Sequence, residues 1–384
     1  MRAVLVTVVL ALAASACNGV SRVDATAQVS IQGAFQRDDG SPAGDIPVAL
    51  AKELGPAEAF EAMWTVFSFG TLCLVQDPPD ICRERGAVTR TGTDGAYALQ
   101  VSGRDTQSFL GFASTLAVTG ALPAGGGALA GPSTTLRFAA QSEQVGLPTA
   151  RLWEAIPAVG ADAGAVTVSW PGPPSWMGTP QALRLLVEGP TGAQVWAQPA
   201  GAGPARLDPR VLEDFAHGVV VQAEGRLSVT NLSADVAYRT GQAPVRGPGA
   251  APSRGAACTL HDLHGPTTVS PCPLTDGDLG TPLHPSMPRG GEPPPPPPAP
   301  GEGGREESVV LDLGGAAPRS LVVLRGEPSE MDVELSADGV RWTPPVRTQS
   351  HGPATAVSVQ GDARYVRVRT TMGTITRLVE VSVW

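Results

Sequence analysis

Two cysteines and two histidines about two thirds of the way along the chain have the spacing of a metal site. Cys258, His261, His264 and Cys272 read Cys-x2-His-x2-His-x7-Cys, a donor set of the kind that cages zinc tetrahedrally. The same four residues fit a disulfide flanked by two surface histidines. The redox compartment separates the two readings, because zinc needs both thiols reduced. A second candidate is Asp276-Gly277-Asp278, whose two carboxylates could contribute to a calcium ion. Calcium wants at least six oxygens, and Asp-Gly is also simply a turn. No catalytic set stands beside these groups. The chain lacks a G-x-S-x-G elbow, an H-E-x-x-H pair and a phosphate-binding loop. The motifs therefore predict a protein that is not an enzyme, takes no cofactor other than a structural calcium at Asp276 and Asp278, and binds no nucleotide.

Charge excludes a further class. With 27 Lys+Arg against 36 Asp+Glu the net charge is −9, which leaves no basic footprint for nucleic acid. Gly 46 and Pro 38 make up about 22 % of the 384 residues, nearly twice ordinary usage. Both interrupt helices, so long helical bundles are excluded. Lys52 is the only lysine, and Asn18 and Asn231 are the only asparagines. That skew looks like GC-rich coding, so part of the Gly/Pro excess carries no structural message. Asn231-Leu-Ser233 is a glycosylation sequon by pattern alone.

The first residues carry an address. After Met1-Arg2, residues 3–14 are apolar apart from Thr7, a core too short for a spanning helix. It ends in Ala14-Ser15-Ala16-Cys17, which resembles a bacterial lipobox. The resemblance implies a signal peptide at 1–16, lipidation (palmitate included) of Cys17, and a tether at 17–27; plain secretion with cleavage near Ala16 is the alternative. The expected location is the cell envelope, with membrane contact through the lipid only, and Asn18 points to the outer membrane. Setting Cys17 aside leaves Cys73, Cys82, Cys258 and Cys272, an even set in an oxidising compartment. Local pairing, Cys73–Cys82 and Cys258–Cys272, predicts two structural staples.

The elements that must position these groups are strands, and the fold class expected is all-β. Two immunoglobulin-like sandwiches come first, at 28–140 and 147–242, then a linker at 243–255 and a jelly roll at 256–384. Val29–Phe35 alternates apolar and polar residues, Ile46–Leu50 follows a turn, and Asp94-Gly95 separates two further alternating runs. An insertion at 54–86 places Phe60, Met63, Trp64 and Phe67 on one helical face, either a lid over the sandwich edge or a partner surface. Ala165–Trp170 reads as a strand with a core tryptophan, followed by strands at Leu183–Glu188, Val219–Ala223 and Ala237–Arg239. Trp176-Met177 sits in a Pro/Gly loop, as a plug on its own core or a contact point. In 256–384, Val366 and Val368 alternate with Arg367 and Arg369, and Val379, Val381 and Val383 alternate with polar partners, as half-buried strands do. A Pro-rich loop at 288–304 includes the run Pro293–Pro298, a polyproline II segment.

Three families share these patterns. Thr91-Gly-Thr-Asp94-Gly95-Ala-Tyr97-Ala-Leu99 resembles the carboxypeptidase regulatory-like (transthyretin-like) sandwich, whose members are non-catalytic accessory domains. Val166-Thr-Val168-Ser-Trp170 resembles fibronectin type III domains. Leu274-Thr-Asp276-Gly277-Asp278, Asp312-Leu-Gly314, Ser336-Ala-Asp338-Gly339-Val-Arg-Trp342 and Arg364-Tyr-Val-Arg-Val368 together resemble discoidin (coagulation-factor type C, galactose-binding-like) domains. That last resemblance implies a jelly roll with a sugar, lipid head group or protein bound at its loop end. Thr281-Pro-Leu-His284 stands where the family places an aromatic residue, and Trp342, Tyr365 and Trp384 occupy positions it uses structurally. The reading is a non-catalytic envelope lipoprotein binding a glycan or protein; the alternative is a structural spacer in an envelope complex.

Overall fold

The computed structural model describes residues 20–53, 86–108, 111–162, 164–189, 192–197, 204–229, 232–247, 249–262, 265–279, 307–326, 331–348, 354–370 and 378–384. It is all-β. In the first part, β1 (Gln28–Gln36), β2 (Pro47–Lys52), β3 (Ala87–Arg90), β4 (Ala96–Ser102), β5 (Thr115–Ala121), β6 (Ser133–Ala139), β7 (Gln144–Gly146) and β8 (Ala150–Arg151) form two facing layers. β1 pairs with β4, β7 and β8, while β3, β2, β5 and β6 run in order through the other layer. The alternation at Val29–Phe35 does what it predicts: Val29, Ile31 and Phe35 are fully buried.

Asp94-Gly95 is a turn, but its flanking strands belong to different sheets. β3 pairs with β2, and β4 pairs with β1, so the turn is a corner between layers rather than a hairpin. Gly95 has φ +76°, and a Cβ there would lie 2.4 Å from the Phe35 carbonyl oxygen. Only glycine meets both conditions.

The second part contains β9 (Ala158–Asp162), β10 (Ala165–Ser169), β11 (Ala182–Gly189), β12 (Gly192–Ala197), β13 (Ala205–Leu207), the one-turn helix α1 (Pro209–Leu212), β14 (His217–Val229), β15 (Leu232–Arg239) and β16 (Ala243–Val245). The sequence division at 140–147 is crossed by hydrogen bonds. β15 pairs with β6 from Asp235↔Arg137 to Arg239↔Ser133, giving a nine-stranded sheet that spans both parts. One core serves both, with Phe35 and Leu136 in the same cluster as Trp153, Trp170 and Val221. Trp176 closes the seam: its indole N–H donates to Asp38 Oδ1 at 2.5 Å, and its ring meets Tyr238 edge-on at 5.4 Å. The plug reading of that loop fits these contacts. Part of the stretch read as a linker is strand β16, paired with β14, and Ala251 and Ser253 beyond it are buried.

The third part contains β17 (Ala257–Asp262), β18 (Gly265–Val269), β19 (Glu307–Gly326), β20 (Met331–Ser336), β21 (Val346–Thr348), β22 (Ala354–Thr370) and β23 (Leu378–Val383). β19 runs 20 residues and pairs with β22 along nearly its whole length. A straight strand of that length would separate its ends by about 60 Å. Yet Met331 pairs with Thr370, which pairs with Glu307, and Gly326 precedes Met331 by only five positions, a reach of at most ~18 Å. The ribbon therefore doubles back on itself. It bends where residues 313–316 oppose Arg364 alone, between the pairs Asp312↔Tyr365 and Ala317↔Ala363, as bulges permit. Val309 and Leu311 from one arm meet Val322 and Leu324 from the other in a single core. The result is a sandwich with two outer faces.

Candidate functional site

One outer face is a cross-strand ladder of arginines and carboxylates. With Val333, Leu335, Val366 and Val368 turned inward, the period of two puts Asp332, Glu334, Arg367 and Arg369 on the outside. The register sets Asp332 opposite Arg369 and Glu334 opposite Arg367. Asp332 accepts two bonds from Arg347 on β21, at 2.9 and 3.1 Å, and pairs with Arg369 at 3.5 Å. The Arg347 bonds hold its carboxyl below the usual range. Glu334 pairs with Arg367 at 2.6 Å and Arg369 at 3.4 Å. The acids lie beneath and the bases above: Asp332 and Glu334 side chains are 3 % and 6 % exposed, Arg347 57 %. The Arg367 guanidinium lies 4.3 Å from the Trp342 ring centre and that of Arg364 4.9 Å from Tyr365, contacts that fix each ring against a cation. Arg364 also grips Asp312 through two 2.8 Å bonds.

The other outer face is covered by the second part. Leu321 and Val323 of β19 pack with Trp384 against Val211 of α1, while the adjacent Leu212 belongs to the core on the other side. Asp208 caps α1 and Pro209 opens it, a short helix start with both favoured residues. Its last turn delivers Glu213, which is fully buried at φ +51°. Glu213 Oε1 accepts from Arg325 Nη1 at 2.6 Å and from the Ser382 hydroxyl, and Oε2 from Arg254 at 3.3 Å. Arg325 Nη2 donates to the Val211 carbonyl at 2.6 Å. The guanidiniums of Arg254 and Arg325 lie 5.2 and 5.0 Å from the centre of the Phe215 ring. Glu380 is buried beside this group and accepts from Gly277 N at 3.2 Å. Burial and the nearby Glu213 charge push its carboxyl up to about 8.

The candidates from sequence are distributed as follows. Cys258 and Cys272 form a disulfide between the start of β17 and the turn after β18, so their thiols are not available to zinc. His261 is exposed on β17. Asp276 Oδ1 accepts from Asp278 N at 2.7 Å, the bond of an Asx turn, and the turn's Gly277 leans on Glu380. Among the described residues no group of three or more His, Cys, Asp or Glu is placed to hold a metal ion. Cys17, Cys73, Cys82, His264, residues 54–85 of the 54–86 insertion, Asn231 and the Pro-rich loop lie outside the described residues. So do 263–264, 280–306, 327–330, 349–353 and 371–377. Sequence reasoning missed Glu213, Arg325 and the ladder. The signal for the ladder was present as Asp332-x-Glu334 and Arg367-x-Arg369; the register that joins them was not.

No family model matches the chain, and no curated protein does. Several solved structures align with it. A chitosan-binding module from a chitosanase/glucanase of Paenibacillus sp. IK-5 is 18 % identical, covering 35 % of this chain and 97 % of that one, with a TM-score of 0.25. A module from Clostridium perfringens in complex with GalNAc-β-1,3-galactose is 15 % identical over 35 % of this chain and 99 % of its own, with a TM-score of 0.26. A Streptococcus pneumoniae fucose-binding module is 16 % identical, covering 35 % and 94 %, with a TM-score of 0.24.

Proposed function

We propose that this protein is a non-catalytic binding component of a bacterial cell envelope, anchored by lipid at Cys17, whose discoidin-like third part engages a glycan. The observation that carries the reading is the asymmetry of that part. One sheet face is sealed against the second part by Val211, Glu213 and Arg325, whereas on the opposite face Arg347 is exposed and Arg367, Trp342 and Tyr365 are partly exposed. A polar, partly exposed surface on an otherwise docked module is where a ligand can reach it. The first two parts, read as carboxypeptidase regulatory-like and fibronectin-like sandwiches, hold it away from the membrane. A glycan array probed with the intact chain tests the reading: retained saccharides are expected, and a blank array contradicts it. Loss of palmitate labelling in Cys17→Ser tests the anchor.

A second reading, a spacer or assembly component bound only to protein, has its own support. The nine-stranded sheet and the buried Glu213–Arg325 joint tie all three parts together, as a rigid strut requires. A blank array together with a defined protein recovered by crosslinking favours it.

A further inference from the structure

Three residues after Cys17 the chain is already packed against the first part. Val20 pairs with Phe112 in an antiparallel bridge, and Ser21 N donates to the Gly111 carbonyl at 2.9 Å. Val23 is 5 % exposed. Further along, the Ala25 and Ala27 carbonyls accept from Arg104 N at 3.1 Å and Gly103 N at 2.8 Å. A Cβ on Gly103 would lie 2.0 Å from the Asp24 carbonyl oxygen, so backbone meets backbone there. The stretch read as a tether, 17–27, is therefore fold from Val20 onward. Three peptide steps from Cys17 reach at most about 11 Å, and the headgroup layer of a bilayer is itself about 5–8 Å deep. A lipid on Cys17 leaves this end of the first part almost no room to stand off the membrane.

The side chains at that end suit a headgroup layer. Val20 is 71 % exposed, the exposed Arg22 is two residues on, and the half-buried Phe112 lies across the bridge. Apolar and aromatic groups beside a cation are what the interface of an anionic membrane favours. The loop that carries Phe112 is closed by Ser108 N donating to the Phe112 carbonyl at 2.8 Å and Gly111 N to that of Ser108 at 2.9 Å. Asp24 is held in a turn of its own, accepting from Thr26 N and Oγ1 at 2.8 and 2.7 Å. Arg104 and Asp105, on the same edge, are one charge of each sign. Arg22 is thus the charge nearest the anchor in sequence.

Resting on the lipid-anchor reading, we infer that this end of the first part is seated on the lipid headgroups, with Val20, Phe112 and Arg22 at the contact. A long tether would let every face of the protein meet the lipid; a three-residue link presents this one.

Hydrogen–deuterium exchange of the lipidated full chain in vesicles of phosphatidylethanolamine and phosphatidylglycerol, compared with the Cys17→Ser chain in solution, tests this. Exchange over 20–23 and 111–114 should be slower on the vesicles. Arg22→Gln should reduce that slowing about fivefold, the share of one cation beside an anionic surface, and Val20→Glu should reduce it further. Leu129→Glu places a charge at a 55 % exposed position beyond the other end of β5 and should leave it unchanged. Equal exchange on vesicles and in solution, with palmitate incorporated, overturns the seat and leaves the anchor standing. A chain without palmitate overturns both. Unchanged slowing in both Arg22→Gln and Val20→Glu overturns the assignment of these residues. Exchange already slow in the Cys17→Ser chain means that another segment of the protein covers this end, and overturns the seat as well.

Discussion

Arg325 of the third part donates to Glu213 of the second at 2.6 Å, and both side chains are almost wholly withdrawn from water, 2 % and 0 % exposed. Removing one partner of such a pair strands the other charge in a low-dielectric site. Arg325→Met should cost about 3–5 kcal/mol of stability, read as a lowered urea midpoint. Adding Glu213→Gln to it should recover part of that loss, because the orphaned charge is then gone. A double variant no more stable than the single would place the cost in packing instead.

Glu380 gives this joint a pH dependence of defined sign. Its folded pKa, raised to about 8 from 4.5, means that the folded chain holds a proton the unfolded chain releases. That contribution is full below about pH 4.5 and fades as pH rises towards 8. Stability should thus decline across that window, and Glu380→Gln should flatten the decline in urea titrations at pH 5, 6.5 and 8.

The disulfide Cys258–Cys272 closes a loop of sequence separation 14. Replacing both cysteines by alanine should destabilise the chain by about 3 kcal/mol, measured by denaturant unfolding. The oxidised protein should take up no zinc at this site by mass spectrometry.

Trp176 spans the seam between the first two parts, and truncation to alanine removes its bond to Asp38 as well as its packing on Tyr238. A loss of roughly 2–4 kcal/mol is expected. Gly95→Ala meets the Phe35 carbonyl and an unfavourable φ together; a drop of about 1–3 kcal/mol should appear as a lower melting temperature.

These sites show what was legible in the chain before its fold was known. Strand periodicity at Val29–Phe35 and Val366–Arg369 named the buried faces correctly, because a period of two depends only on local geometry. Asp94-Gly95 was legible as a turn but not as a corner, since a turn's backbone does not say which sheets its strands join. The pairing of β15 with β6 is a contact between residues about a hundred positions apart, and no local pattern encodes it. Glu213 is the harder case. A lone glutamate after a one-turn helix looks like surface, and only the approach of Arg325, Arg254 and Ser382 turns it into a buried joint. The ladder lies between these extremes, its charges visible and its register not.

The central claim is that the third part binds through the sheet face that carries Arg347, Arg367 and Trp342. Hydrogen–deuterium exchange of the intact chain, with and without a saccharide retained on the array, tests it most directly. Protection confined to 331–336, 346–348 and 364–370 is the result expected. Protection that spares these strands and falls instead on the first part or on the 209–217 joint would contradict it.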